Sequence, residues 1–120
     1  MIRTPSLLLV AALAAGCART GTGAGVRADI TARMQSIQAP IQQCYATTLQ
    51  SNRRVRGMMV VNFRAAAGTG QFDQVSIGRD EPADDGLRRC VIDQVSQLKL
   101  QTPQRTSVSI AYPIRFAPND

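Results

Sequence analysis

Residues 57–79 read GMMVVNFRAAAGTGQFDQVSIGR, and the period of this stretch decides the fold. Met59, Val61 and Phe63 alternate with Val60, Asn62 and Arg64. That is the two-residue step of a strand with one face toward a core. Gly68, Thr69 and Gly70 supply turn chemistry, and Val75 and Ile77 resume the two-residue step. The stretch predicts a β-hairpin.

Downstream of it, residues 79–86 read RDEPADDG. A calcium loop needs alternating Asp and a closing Glu, and Pro82 interrupts any such pattern. Asp84 and Asp85 are therefore read as caps for the next helix. That helix shows Leu87, Cys90 or Val91, Val95 and Leu98 on one face. The chain closes on TSVSIAYPIRF, residues 106–116, in which Val108, Ile110, Tyr112, Ile114 and Phe116 alternate without a break. This is the clearest strand in the sequence.

Upstream, a helical period runs through Ile30, Met34, Ile37, Ile41, Cys44 or Tyr45, and Leu49. Asp29 is positioned to cap its start, and Pro40 must kink it or begin a second helix. SNRRVRG, residues 51–57, ends the helix and gathers Arg53, Arg54 and Arg56. These arginines have two readings: an anion site for phosphate or carboxylate, or a basic helix end complementing the helix dipole.

The element order is thus helix, strand, strand, helix, strand. A hairpin followed by a returning helix lays the last strand antiparallel beside the first, in sheet order 3-1-2. Both helices then cover one face, giving an α+β two-layer sandwich with a three-stranded antiparallel sheet. Pro113 in the last strand is tolerable where its missing N–H is not needed, which points to an edge.

The N-terminus reads differently. Leu7–Ala15 is an apolar run spanning about 13–14 Å as a helix, too short to cross a bilayer. Ala14, Ala15 and Gly16 follow, then Cys17. This resembles a bacterial lipoprotein signal, in which the chain is cut before a diacylated cysteine. The alternative is an ordinary secretory signal with a cysteine nearby. Residues 1–16 are read as the signal peptide, 17–28, rich in Gly and Thr, as a flexible tether, and 29–120 as the domain. With Cys17 lipidated, Cys44 and Cys90 remain. Each lies three residues after an apolar face position, Ile41 and Leu87. An even count in an exported protein predicts a bridge between them, the alternative being two buried thiols.

The chain has 120 residues, a net charge of +6 and no His. The charge favours anionic partners. Aromatics at 4% with no Trp offer too few stacking platforms for a nucleic-acid reading. A histidine triad or histidine metal site is excluded, and three cysteines cannot make a four-thiolate zinc site. Acidic residues cluster in one loop and are otherwise scattered, so no carboxylate pair stands out. The expectation is a non-catalytic protein with no cofactor, no metal and no small-molecule substrate.

Several stretches in order carry a resemblance. Cys44-Tyr45 on the first helix, Gly57 leading the hairpin, Cys90-Val91 on the second helix, and Tyr112-Pro113-Ile114-Arg115-Phe116 at the close are the pieces. Together, over about residues 34–116, they resemble the TonB C-terminal-like domain, in the variant that closes the myxobacterial AgmX/PglI gliding-motility proteins. Two places depart from it: Leu98-Lys99-Leu100 stands for the usual Trp-x-Phe, and Thr102-Pro103 for a Pro-rich segment. The resemblance implies a binding module without a rod or motor helix, carried on a lipid anchor in the cell envelope. Ala18 after the cysteine implies outer-membrane sorting, with the domain facing the periplasm. It further implies that a partner's extended segment adds to the strand edge along Thr106, Ser107, Val108, Ser109, Ile110, Ala111 and Tyr112. A self-capped edge, protected by Pro113 and Arg115, is the alternative there. A structural envelope lipoprotein whose arginines grip peptidoglycan or lipopolysaccharide is the second functional class.

Overall fold

The computed structural model describes residues 23–118. The signal 1–16, Cys17 and tether residues 17–22 lie outside the described residues.

Strands β1 (Gly57–Ala65) and β2 (Phe72–Asp80) form the expected antiparallel hairpin. Its turn uses the left-handed backbone of Gly68 (φ +83°) and Gly70 (φ +74°). Strand β3 (Val108–Phe116) pairs antiparallel with the other side of β1, from Gly57 opposite Phe116 to Ala65 opposite Val108. The sheet order is β2-β1-β3, which is the 3-1-2 order expected. Met59 and Val61 are fully buried on its inner face.

Two bulges in β2 change what the sequence period conveys. Between Asn62 and Arg64 the register slips opposite Gln74, whose φ is +52°. A bulge adds one residue and resets which side chains face inward. Phe72 and Val75, three residues apart, consequently both pack toward the core. Phe72 is 1% exposed and stacks on Phe63 at 4.6 Å. Strict alternation had not placed it there.

The first helical stretch is two helices, α1 (Ala24–Ser36) and α2 (Gln38–Ser51). They part at Ile37, whose N–H donates back to the Met34 carbonyl at 3.2 Å. Pro40 is the third residue of α2, where an N–H has no intrahelical partner to lose. The helix start differs from the expectation. It lies at Ala24 with Gly23 as N-cap, so residues 24–28 are helix and not tether, and Asp29 is no cap. The reason is packing: Val26, Ile30 and Met34 recur at four-residue steps and all contact the core. Asp29 instead accepts from the N–H groups of Gln101 (3.2 Å) and Thr102 (2.9 Å).

Helix α3 (Asp85–Ser96) begins where the acidic loop predicted. Asp84 is its N-cap, accepting from the Leu87 N–H at 2.9 Å, and Asp85 occupies the first turn and pairs with Arg88. Leu87, Val91 and Val95 are fully buried beneath it. The connection onward is stitched to the hairpin turn. Phe72 N–H donates to the Leu98 carbonyl (2.9 Å) and Leu100 N–H to the Gly70 carbonyl (3.0 Å). Leu100, standing where the resembled family has an aromatic, is 2% exposed.

Cys44 on α2 and Cys90 on α3 form a disulfide, with Cα atoms 5.8 Å apart and a sequence separation of 46. The bridge ties the two helices that roof the sheet, and two separate thiols are set aside. Closing a loop of that length stabilises by roughly 4 kcal/mol in the chain-entropy model. A Cys44→Ser/Cys90→Ser variant is expected to lose about that much in urea unfolding. Mass spectrometry without reductant should recover a Cys44–Cys90 peptide, and free alkylation of both thiols would contradict it.

Candidate binding edge and basic pole

Strand β3 is an edge, and the direction of its backbone groups follows from the opposite side of β1. Met58 donates its N–H to the Glu81 carboxylate (2.8 Å) and accepts from the Glu81 N–H (3.0 Å). Both backbone groups of Met58 thus point toward β2. Successive residues of a strand address opposite sides, so Val60, Asn62 and Arg64 also face β2, and Met59, Val61 and Phe63 face β3. The β1–β3 register runs unbroken, with Ile114, Tyr112 and Ile110 opposite these last three. Their backbone groups close the sheet. Those of Ser109, Ala111, Pro113 and Arg115 point outward to the free side. Pro113 falls on the side where no N–H is called for, which agrees.

The side chains divide as expected. Val108 and Phe116 are buried, Ile110, Tyr112 and Ile114 are half-buried, and Ser109, Ala111, Pro113 and Arg115 are exposed. The candidate stretch from Thr106 to Tyr112 maps unevenly onto this geometry. Thr106 and Ser107 are exposed but precede the strand. Ser109 and Ala111 carry free edge groups, whereas the backbones of Val108, Ile110 and Tyr112 serve β1. The free edge also continues past Tyr112 to Arg115, which strand period alone did not indicate.

Beside β3 a groove of about 570 Å³ runs against α2, lined by Ile41, Tyr45, Leu49, Ile114 and Arg115 among others. Its end is held together by aromatic packing, with Tyr45 and Phe116 centroids 5.2 Å apart. Tyr45 also donates its hydroxyl to the Val55 carbonyl at 2.8 Å.

Arg53, Arg54 and Arg56 are all exposed in the connection from α2 to β1, around Val55, which is 2% exposed. Helix α2 ends at Ser51 with no basic residue in its last turn. The helix-dipole reading of these arginines is therefore corrected, because that interaction fades beyond the final turn. Asn52 orders the connection: its side-chain carbonyl accepts from Arg54 N–H (3.3 Å) and its amide reaches Asp84 (3.4 Å).

Gly57 lets this corner close. Its φ is +121°, and a Cβ there would meet the Glu81 Cβ at 2.7 Å. Only glycine allows Glu81 to approach Met58 this closely. The Met58 N–H, and next the Arg79 guanidinium, hold the Glu81 carboxyl below its ordinary range. On the open face of the sheet Arg64 grips Asp73 through two 2.9 Å bonds, which lowers the Asp73 pKa likewise.

Among the described residues no group of three or more His, Cys, Asp and Glu could hold a metal ion. No described helix is long and apolar enough to cross a membrane.

No protein-family model matches the sequence, and no curated protein matches it. Among solved structures, the NMR solution structure of the Helicobacter pylori TonB C-terminal domain, residues 179–285, is similar to this chain. The identity is 14% and the TM-score 0.48, covering 86% of this chain and 99% of that one.

The depressed carboxylates make stability acid-sensitive. Glu81, Asp73 and Asp84 all have folded pKa values below their ordinary ones, Asp84 chiefly through the Leu87 N–H. The unfolded chain then binds more protons at low pH, so this stabilisation is complete near neutrality. It is lost progressively as pH falls below about 5 and through the depressed values. Urea midpoints are expected to be lower at about pH 3 than at about pH 7, and Glu81→Gln should narrow that difference. Equal midpoints at the two pH values would contradict the assignment.

Proposed function

We propose that this chain is a non-catalytic, lipid-anchored binding module of the bacterial envelope, built as a TonB C-terminal-like domain. It receives an extended segment of an envelope partner on the free edge of β3. The observation that carries this reading is the edge itself. Ser109, Ala111 and Arg115 offer outward N–H groups, and Pro113 interrupts the row only once. Strand addition needs such a row, and the half-buried side chains beside it provide an apolar flank. An exported location is supported by the Cys44–Cys90 bridge, since disulfides persist in oxidising compartments. Diacylation of Cys17 supplies the anchor, because two acyl chains at about 0.8 kcal/mol per buried CH₂ hold firmly where one does not. The domain faces the periplasm from the outer membrane and takes its place in an envelope-spanning complex for motility or transport.

Two variants test the reading. Cys17→Ser should abolish palmitate labelling and release the protein from the membrane fraction. Retention in the membrane without label in the wild type would refute the anchor. Ala111→Pro removes one outward N–H and no bond within the sheet, so the variant should fold with an unchanged circular dichroism spectrum. Crosslinking in intact envelopes should then lose the partners that wild type captures. If the folded variant captures them all, the edge is not the site.

A further inference from the structure

We infer that the pole of the domain bearing Arg53, Arg54, Arg56 and Arg115 docks an acidic, extended protein segment, on the end opposite Gly23. This rests on the edge put forward above, and names the chemistry and direction of the partner.

Some basic residues of the fold are paired and others are not. Arg33, Arg64, Arg79 and Arg88 pair with carboxylates. Arg53, Arg54, Arg56 and Arg115 are exposed and have no carboxylate within 4 Å among the described residues, and the same holds for Arg27, Arg89, Lys99 and Arg105. Register brings the first four to one end: Arg56 precedes Gly57, which lies opposite Phe116, and Arg115 lies opposite Met58. The nearby acids are already engaged. Glu81 holds Met58 and Arg79 and is also near enough to feel the charge of Arg115, Asp80 and Asp85 hold Arg88, and Asp84 caps α3. Positive charge exceeds negative at this pole, as it does around Arg27, Lys99 and Arg105 at the turn pole, and what sets this pole apart is Arg115, on the free edge and beside the groove.

The start of α1 lies at the other end. Asp29 is bonded to Gln101 and Thr102, beside Leu100 on the hairpin turn. Met34, further along α1, shares a pocket with Tyr112 and Arg115. Helix α1 thus runs from the turn pole toward the basic pole, and Gly23 lies on the turn side. At about 3.3 Å per residue, the length of β1 separates the two poles by about 26 Å. That is roughly three times the screening length of about 8 Å at physiological salt, so charges at the two poles act independently.

Two features favour a peptide over a lipid surface. Arg115 belongs to the pole and is also the last residue with free edge groups. The groove between α2 and β3 opens at the same end, past Ile114, Arg115 and Phe116. An extended segment can use edge, groove and arginines together, whereas a flat bilayer reaches only the arginines.

The test uses the full chain carrying Cys17→Ser, with fluorescent poly-L-glutamate of about twenty residues as probe at about 150 mM salt. Arg53→Gln/Arg56→Gln should weaken binding at least about tenfold. Arg27→Gln/Arg105→Gln removes the same charge near the turn pole and should weaken it less than about twofold. Equal losses in the two variants, or no binding by the parent chain, would overturn the proposal. Capture by phosphatidylglycerol vesicles that depends on Arg53 and Arg56 and resists polyglutamate competition would overturn it in favour of a lipid surface. Failure of the edge or of the anchor reads out separately, in the Ala111→Pro crosslinks and in palmitate labelling of the native Cys17 chain.

Discussion

Strand β1 is paired along both sides and buried on one face, and the rest of the architecture follows from that position. A central strand must find partners for backbone groups pointing both ways. The hairpin supplies β2 on one side, and α3 has to carry the chain back so that β3 can supply the other. With nine residues in each strand and no fourth strand among the described residues, β3 is left with an open side. The candidate binding edge is thus a consequence of how β1 was satisfied.

The corner where β1 begins shows how closely fold and site are joined. Gly57 takes a conformation that side chains resist, which admits Glu81, and Glu81 completes the backbone bonding of Met58. This interaction shows the phase in which the backbone groups of β1 alternate, and hence which residues of β3 face out. On the other side of the same corner, Tyr45 pins Val55 and packs at a tilt against Phe116. The arginines around Val55 are therefore displayed from an ordered segment. Order of this kind lowers the entropy lost when a partner is bound.

Much of this was legible in the residues. Alternation in 57–65 and 108–116 located two strands, Gly68 and Gly70 the turn, Asp84 the cap, and Pro113 the edge. Parity and apolar spacing led to the Cys44–Cys90 bridge. Each of these rests on chemistry within a few residues, where period, capping and backbone restriction act directly. The departures have a common origin. Phe72 turned inward because a bulge at Gln74 reset the period, and bulges answer to the partner strand. Residues 24–28 joined the helix because Val26 found the core. Asp29 gave up a cap for the distant N–H groups of Gln101 and Thr102.

By itself, then, the sequence determined the element types, their order, the sheet arrangement and the pair of cysteines, since these depend on local period and short-range chemistry. Pro113 hinted at which backbone groups of β3 stay unpaired, but tertiary structure decided it, because it depends on the phase in which β3 pairs with β1, a strand far earlier in the chain. Tertiary structure also gathered Arg115 with Arg53, Arg54 and Arg56, through a strand register that no single segment carries. Long-range pairing positions a side chain by what lies opposite it, and that partner is written elsewhere in the sequence.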